Sequence, residues 1–310
     1  MKNLELINIV NSSDHFSANG WSFEVAKKYL FSINGKIIEA GFYTHYTDET
    51  MVDIVKQVIE LPTSYGCQMR CVYCASSNIK NISPCKTDDL IGITDYLFSA
   101  HNISSEDKML ISLTGTGDAY FTINLISEYI LTISNKYSNL CFTVSSCSWT
   151  NKMLRTIEKL SEEFNIRTIQ ATFITLNENK LQKIIPGLNS SDFAFSTFVD
   201  YVSHSSLRNW RINYIMLHTI NDSDEDFTYF INFIQPIKDK IVVRISSLNE
   251  TIASKSNNLR PSAIERSKFF HNMLYNRGIK SYLFNSVCNN NMSCGQLVLE
   301  HVLIEDNNTD

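Results

Sequence analysis

Charge is scarce in this 310-residue chain: Asp, Glu, Lys and Arg make up 19 % of it, and the formal net charge is −5. That balance speaks against a strongly basic nucleic-acid surface, although a local patch fits within a weakly acidic whole. No uncharged apolar run reaches the roughly 18 residues of a membrane-spanning helix. The start, Met1 to Ser17, lacks the basic flank and apolar core of a signal peptide. These absences predict a cytoplasmic protein with no membrane partner. Tandem repeats are missing too, and the scattered Asn and Ser read as loop chemistry rather than a low-complexity domain. What is present is a 44 % hydrophobic content, which supports a sizeable core. The length suits one large catalytic domain with appendages.

The segment "SFEVAKKYLFSINGKIIEAGFY" reads as strand, turn, strand. Asn34-Gly35 suits a tight turn, and Tyr29, Phe31, Ile33, Ile37 and Ile38 supply a buried face. A β-rich extension over residues 1–60 is the expectation, with Glu49 to Leu61 open between amphipathic helix and strand. Over 61–260, strands are predicted to begin at Met109, Leu140, Ile166, Phe193, Arg211 and Lys240. Segments of helical length separate several of them; in Asn151 to Phe164, Leu154, Ile157 and Leu160 share a face. This alternation predicts an α/β fold with parallel strands and crossover helices, in a closed or partial barrel or an open sheet. Residues 261–310 add a helix from about Ala263 to Arg277. Ser262 and Glu265 have capping-box spacing there, and Gly278 is the stop. A short "SYLF" strand, a polar turn, an apolar run through Ile304 and a frayed tail follow.

Eight cysteines are present, three of them within eight residues. A reducing cytosol favours reading these as ligands or reactive thiols rather than disulfides. "YGCQMRCVYC" spaces Cys67, Cys71 and Cys74 as C-x3-C-x2-C. One loop of this kind directs three thiolates at three corners of a [4Fe-4S] cubane and leaves the fourth iron open. An open iron can take the amino and carboxylate groups of S-adenosylmethionine and pass an electron into its sulfonium. The competing assignment is a structural zinc or ordinary iron-sulfur site with a fourth cysteine from elsewhere. Tyr73 stands where its ring can cover the cluster or the adenine. In "LTGTGDAY", Gly115 and Gly117 allow close backbone approach to a ligand, and Asp118 can accept bonds from an ammonium group.

Over residues 22 to 303 the chain resembles the radical S-adenosylmethionine superfamily, and within it the class A methyltransferases of adenine C2 and C8 in RNA. The cysteine spacing carries the superfamily likeness. "SCGQL" at 293–297, "RINYIMLHTINDS" and "LNENKLQKIIP" carry the subfamily likeness. The resemblance implies a partial (β/α)6 barrel whose C-terminal tail returns to the active site. It also implies that Cys294 carries a methyl group, received from one S-adenosylmethionine, to an sp2 carbon of the substrate. Gly295 and Gln296 would shape that loop. Cofactor contacts carried over from the family fall on Gly115, Gly117 and Asp118, on Ser145 and Ser146, on Thr172 and on Arg244. Asp118 stands for a family glutamate, Ala119 for a proline and Arg244 for an asparagine. An external electron donor such as flavodoxin or ferredoxin is the implied redox partner.

Two departures stand out. The family resolves its covalent adduct with a cysteine seven residues before the cluster, and Glu60 stands there; a carboxylate accepts a proton but forms no disulfide. Cys288 is the favoured substitute thiol, ahead of Cys85, Cys141 and Cys147. The family's N-terminal RNA-binding domain also has no counterpart in the twenty or so residues before "WSFEV". RNA is thereby disfavoured relative to a nucleotide or another small molecule. Alternative expectations are a radical enzyme that abstracts hydrogen without methyl transfer, and an inactive iron-sulfur binding or sensing protein.

Overall fold

The computed structural model describes residues 4–11, 15–16, 22–188, 195–284 and 294–308. Its first strands are β1 (Leu4–Asn11), β2 (His15–Phe16), β3 (Phe23–Ile33), β4 (Lys36–Tyr46) and β5 (Ile54–Glu60). Short β6 (Ser64–Tyr65) and β7 (Ser83–Pro84) pair with each other on either side of the cysteine loop. Strands and helices then alternate through α1 (Thr87–Ala100), β8 (Met109–Leu113), α2 (Ala119–Ser134), β9 (Leu140–Ser146), α3 (Asn151–Glu163) and β10 (Ile166–Phe173). Next come α4 (Glu178–Ile184), α5 (Phe195–His204), β11 (Trp210–Met216), α6 (Asp224–Ile234) and β12 (Ile241–Ser247). The chain closes with α7 (Ile252–Ser256), α8 (Ile264–Asn276), β13 (Ser281–Phe284) and α9 (Gln296–Asn308).

The fold is mixed α/β, built on one sheet in the order β1-β3-β4-β5-β8-β9-β10-β11-β12-β13, with β2 beside β3. Asn34 and Gly35 both have positive φ, as a two-residue hairpin turn requires, and Ile33 pairs with Lys36 across it. The ambiguous segment before the cysteines is strand β5, antiparallel to β4 and parallel to β8. From β5 to β13 every neighbouring pair is parallel, and helices cover one face of this sheet. Ile111, Val144, Ile169, Ile212 and Val243 bury that face against the helices. No pairing joins edge strands β1 and β13 among the described residues.

Two local expectations are corrected. The apolar residues after Phe193 read as a strand, yet 195–204 is helix α5. Phe195, Phe198 and Val202 recur at helical spacing, and the rings of Phe195 and Phe198 meet Phe173 and Trp210. The capping box at Ser262 and Glu265 does not form, because α8 starts at Ile264 without a side-chain cap. The Ser262 hydroxyl donates instead to Asp222 Oδ2 at 2.8 Å, and Pro261 bridges to Leu217. Gly278 ends α8 as expected. The apolar run before the C-terminus is helix α9, whose Leu297 and Val298 pack on Leu30 of β3. No helix among the described residues is long and apolar enough to cross a membrane.

Candidate active site

Cys67, Cys71 and Cys74 lie in the loop after β6, all as free thiols, and all line one cavity of about 300 Å³ over the C-terminal ends of the parallel strands. Backbone bonds from outside hold this loop. Val72 N–H donates to Ile184 C=O at the end of α4, and Gly187 N–H donates to Met69 C=O, both at 2.9 Å. Asn257 donates to the Val72 carbonyl, and the Thr251 hydroxyl to the Tyr73 carbonyl. Burial pushes the Cys67 thiol well above its ordinary range, and Asp118 and Cys74 add to the rise. At Cys71 a bond with Cys147 pulls the pKa down, but burial and the neighbouring thiols outweigh it.

The turn after β8 supplies Gly115 and Gly117 to the same cavity. Their close backbone approach is internal: an added Cβ would lie 2.8 Å from Leu61 O at Gly115 and 2.6 Å from Ser64 Oγ at Gly117. Asp118 caps α2, accepting from Tyr120 N–H at 2.9 Å. It also accepts from Ser146 Oγ at 2.5 Å and from Cys147 N–H at 2.9 Å. Three of its acceptor positions are thus taken by the chain itself. Ser145 and Thr172 line the cavity, whereas Ser146 does not. Its hydroxyl lies within hydrogen-bond reach of both Asp118 Oδ1 and the Ser148 carbonyl. Tyr73 and Arg244 line the cavity. Cys288 lies outside the described residues.

The longest-range expectation concerns Cys294. Its side chain enters this cavity, and its carbonyl accepts from Ser76 Oγ at 3.2 Å, two residues past Cys74. Cys294 Sγ donates to Glu60 Oε1 at 2.9 Å. Gly295 has φ +80°, and a Cβ there would lie 2.6 Å from Ser76 N, so only glycine lets the loop pass. Gln296 Oε1 accepts from Ile252 N–H, tying the loop to α7.

Behind Glu60 lies a buried polar network outside the expected site set. Lys28 Nζ on β3 sits 3.1 Å from Glu60 Oε2 and 3.2 Å from Glu39 Oε1 on β4. Tyr43 OH donates to Glu60 Oε2 at 2.5 Å. Glu39 in turn accepts from Gly295 N–H at 2.6 Å and Val298 N–H at 3.2 Å, satisfying two orphan donors at the start of α9. Burial alone would raise the Glu60 pKa, but Lys28 and the hydrogen bonds from Cys294 and Tyr43 hold it below the usual carboxylate range. Burial, then Glu60, push the Cys294 thiol well above its ordinary range. At neutral pH the pair is therefore a thiol donating to a carboxylate. The available signal was charge within apolar strands: Lys28 is 1 % and Glu39 2 % exposed.

No family model matches the chain. It is 24 % identical over 291 residues to the probable dual-specificity RNA methyltransferase RlmN of Caldicellulosiruptor saccharolyticus, covering 91 % of this chain and 78 % of that protein. It is 21 % identical over 287 residues to the protein of the same name from Clostridium botulinum strain Alaska E43, covering 90 % and 77 %. A crystal structure of a radical SAM methyltransferase from Sphaerobacter thermophilus superposes with a TM-score of 0.73 at 16 % identity, covering 96 % of this chain and 81 % of that one. The chain thus resembles RlmN-type RNA methyltransferases in sequence and shares the fold of a radical SAM methyltransferase.

For such an enzyme a [4Fe-4S] cluster and S-adenosylmethionine are implied, and the residues present fit them. Three free thiols from one loop face a cavity that also holds polar strand-end groups. Among the described residues no three Cys, His, Asp or Glu side chains converge on a single metal ion. A cubane places its cysteines on different irons, so convergence on one point is not its requirement. Cys67, Cys71 and Cys74 would hold such a cluster, whose iron would supply the positive charge that favours thiolate over buried, neutral thiol.

Proposed function

We propose that this radical S-adenosylmethionine methyltransferase-like enzyme transfers a methyl group by way of Cys294 to an sp2 carbon of a nucleotide, an RNA or another small molecule. The observation that carries this reading is the meeting of Cys294 with the cysteine loop: its carbonyl lies against Cys74 and Ser76, 220 and 218 residues away in sequence. Cys67, Cys71 and Cys74 hold the cluster, and Tyr73, Gly115, Gly117, Asp118, Ser145 and Thr172 surround the cofactor. When bound, S-adenosylmethionine supplies the methyl group and, with a reduced cluster, the radical initiator.

The chain's own part is to present and deprotonate the carrier. Glu39 and Gly295 fix the loop so that Cys294 Sγ faces the cavity. As Sγ gains a carbon substituent it must lose its proton, and Glu60 Oε1 at 2.9 Å is the acceptor in place. Lys28 and Tyr43 keep Glu60 ionised and oriented for that transfer. Glu60 thus has a proton-transfer role at the position of the family's resolving cysteine. Cys288 remains the thiol proposed to resolve an adduct, and a flavodoxin or ferredoxin the electron donor.

Anaerobic reconstitution, reduction and incubation with S-adenosylmethionine test the proposal. S-adenosylhomocysteine should form in step with methyl incorporation, and Cys294→Ala should abolish both while leaving the cluster absorbance intact. Formation of 5'-deoxyadenosine without methyl incorporation would instead identify a radical enzyme of another reaction.

A further inference from the structure

The cavity-side face of β11 and β12 carries two arginines, Arg211 and Arg244, that line the same cavity as Cys67, Cys71, Cys74 and Cys294. Their hydrogen-bond partners among the described residues are neutral. Arg211 Nε donates to Gln170 Oε1 at 2.7 Å, and its Nη1 reaches Tyr282 OH at 3.4 Å. Among the described residues Arg244 donates only through Nε, to Ser246 Oγ at 3.0 Å, and its guanidinium stacks 3.7 Å from the Phe284 ring centroid. Neither forms an ion pair among the described residues. The Nη donors of Arg244 have no hydrogen-bond acceptor among the described residues.

Like charge accumulates around them. Burial and then Arg211 pull the Arg244 pKa down to about 10. Lys56 on β5 is lowered by burial and feels Arg167, Arg211 and Arg244 as like charges, offset by Glu24. Glu60 offsets part of this at Arg244, but no carboxylate among the described residues forms an ion pair with either arginine, and concentrating half-buried cations is costly unless an anion completes the set. Stacking on Phe284 holds the Arg244 plane, which pre-orients its fork of N–H donors for a planar or tetrahedral oxyanion.

We propose that Arg211 and Arg244 form a receptor for an anionic group, phosphate or carboxylate, of the molecule whose carbon is methylated. What happens to that molecule rests on the methyl-transfer reading; the anion receptor does not. The same chemistry has a second source in the carboxylate of S-adenosylmethionine itself. The substrate is favoured because both arginines project from within strands β11 and β12. The cysteine loop and the Gly115–Asp118 turn instead follow β5 and β8, on the other side of the sheet order.

The test titrates inorganic phosphate, and separately acetate, into reconstituted enzyme already holding isotopically labelled S-adenosylmethionine. Calorimetry reads anion binding, and equilibrium dialysis reads cofactor retention. One of the two anions is expected to bind without displacing the cofactor. Arg211→Gln and Arg244→Gln should each weaken that binding about ten- to hundredfold, the loss of one charge-assisted hydrogen bond. Arg211→Lys and Arg244→Lys, which keep the charge, should retain measurable binding. In anion-free buffer the glutamine variants should melt no lower than wild type, whereas an arginine needed only as scaffold would melt lower. Displacement of the cofactor would assign the site to the cofactor carboxylate and overturn the proposal. So would undetectable binding, or equal affinity in the variants. Methylation of Cys294, measured on the same samples, reports separately on the methyl-transfer reading.

Discussion

Glu60→Gln preserves the shape of the side chain beside Cys294 but removes its charge. Glu60 Oε2 faces two donors, Tyr43 OH at 2.5 Å and Lys28 Nζ at 3.1 Å, so the amide oxygen takes that side. The amide NH2 then faces Cys294 Sγ, where a carboxylate oxygen had accepted at 2.9 Å. Lys28 keeps Glu39 as its counter-charge at 3.2 Å. The stability cost is therefore that of a weakened charged hydrogen bond, about 1–3 kcal/mol, below the cost of a stranded buried charge. The thiol loses its only positioned base among the described residues, which costs about 10²–10⁴-fold in the methylation step. Chemical reactivity should move the other way. Removing the negative charge beside Cys294 lets its pKa fall, so iodoacetamide labelling above pH 8 should speed up while enzymatic methylation slows. The assay is single-turnover methyl incorporation by intact mass, paired with a labelling time course and a melting curve. A folded Glu60→Gln protein that methylates Cys294 within about threefold of wild type would refute the proton-acceptor role.

Glu39→Gln leaves one acceptor for the two N–H groups of Gly295 and Val298, and should cost about 1–3 kcal/mol; faster hydrogen exchange confined to α9 would register its undocking. Gly295→Ala must hold a left-handed φ with its Cβ against the Ser76 backbone, costing at least about 1 kcal/mol. Its methyl incorporation at Cys294 should fall further than its melting temperature implies. His101 stacks on Phe42 and bonds Tyr29, and burial and then Lys27 lower its pKa to about 4. The folded protein thus binds fewer protons there than the unfolded chain, whose histidine titrates near 6.5. Stability from this group is fully present above that value and falls as pH drops from about 6.5 to about 4. Urea midpoints across this window should decline for wild type and flatten for His101→Gln.

The C-x3-C-x2-C loop was legible because its three cysteines are local, and the alternation of strands and helices from Met109 because helix and strand periods differ. Cys294 was legible only through resemblance, since no local pattern places a residue beside another 220 positions away. Lys28, Glu39 and Tyr43 were missed because they act across strands. A lysine and a glutamate within β3 and β4 acquire a shared purpose only once the hairpin pairs and α9 docks on it. The arginines of β11 and β12 were half legible. Arg244 stood out as a substitution, but its company with Arg211 and Phe284 arises from pairing of separate strands. Ser262 shows the reverse error: a sound local cap signal lost to a tertiary partner, Asp222.

The most direct test uses S-adenosylmethionine carrying a trideuteromethyl group. The anaerobically reconstituted, reduced enzyme is digested, and the peptide spanning Cys294 is fragmented in a mass spectrometer. A single trideuteromethyl group on Cys294 is the predicted result, absent from the other seven cysteines and lost in Cys67→Ala. An unlabelled Cys294 in protein that holds its cluster and cleaves the cofactor would contradict the carrier role.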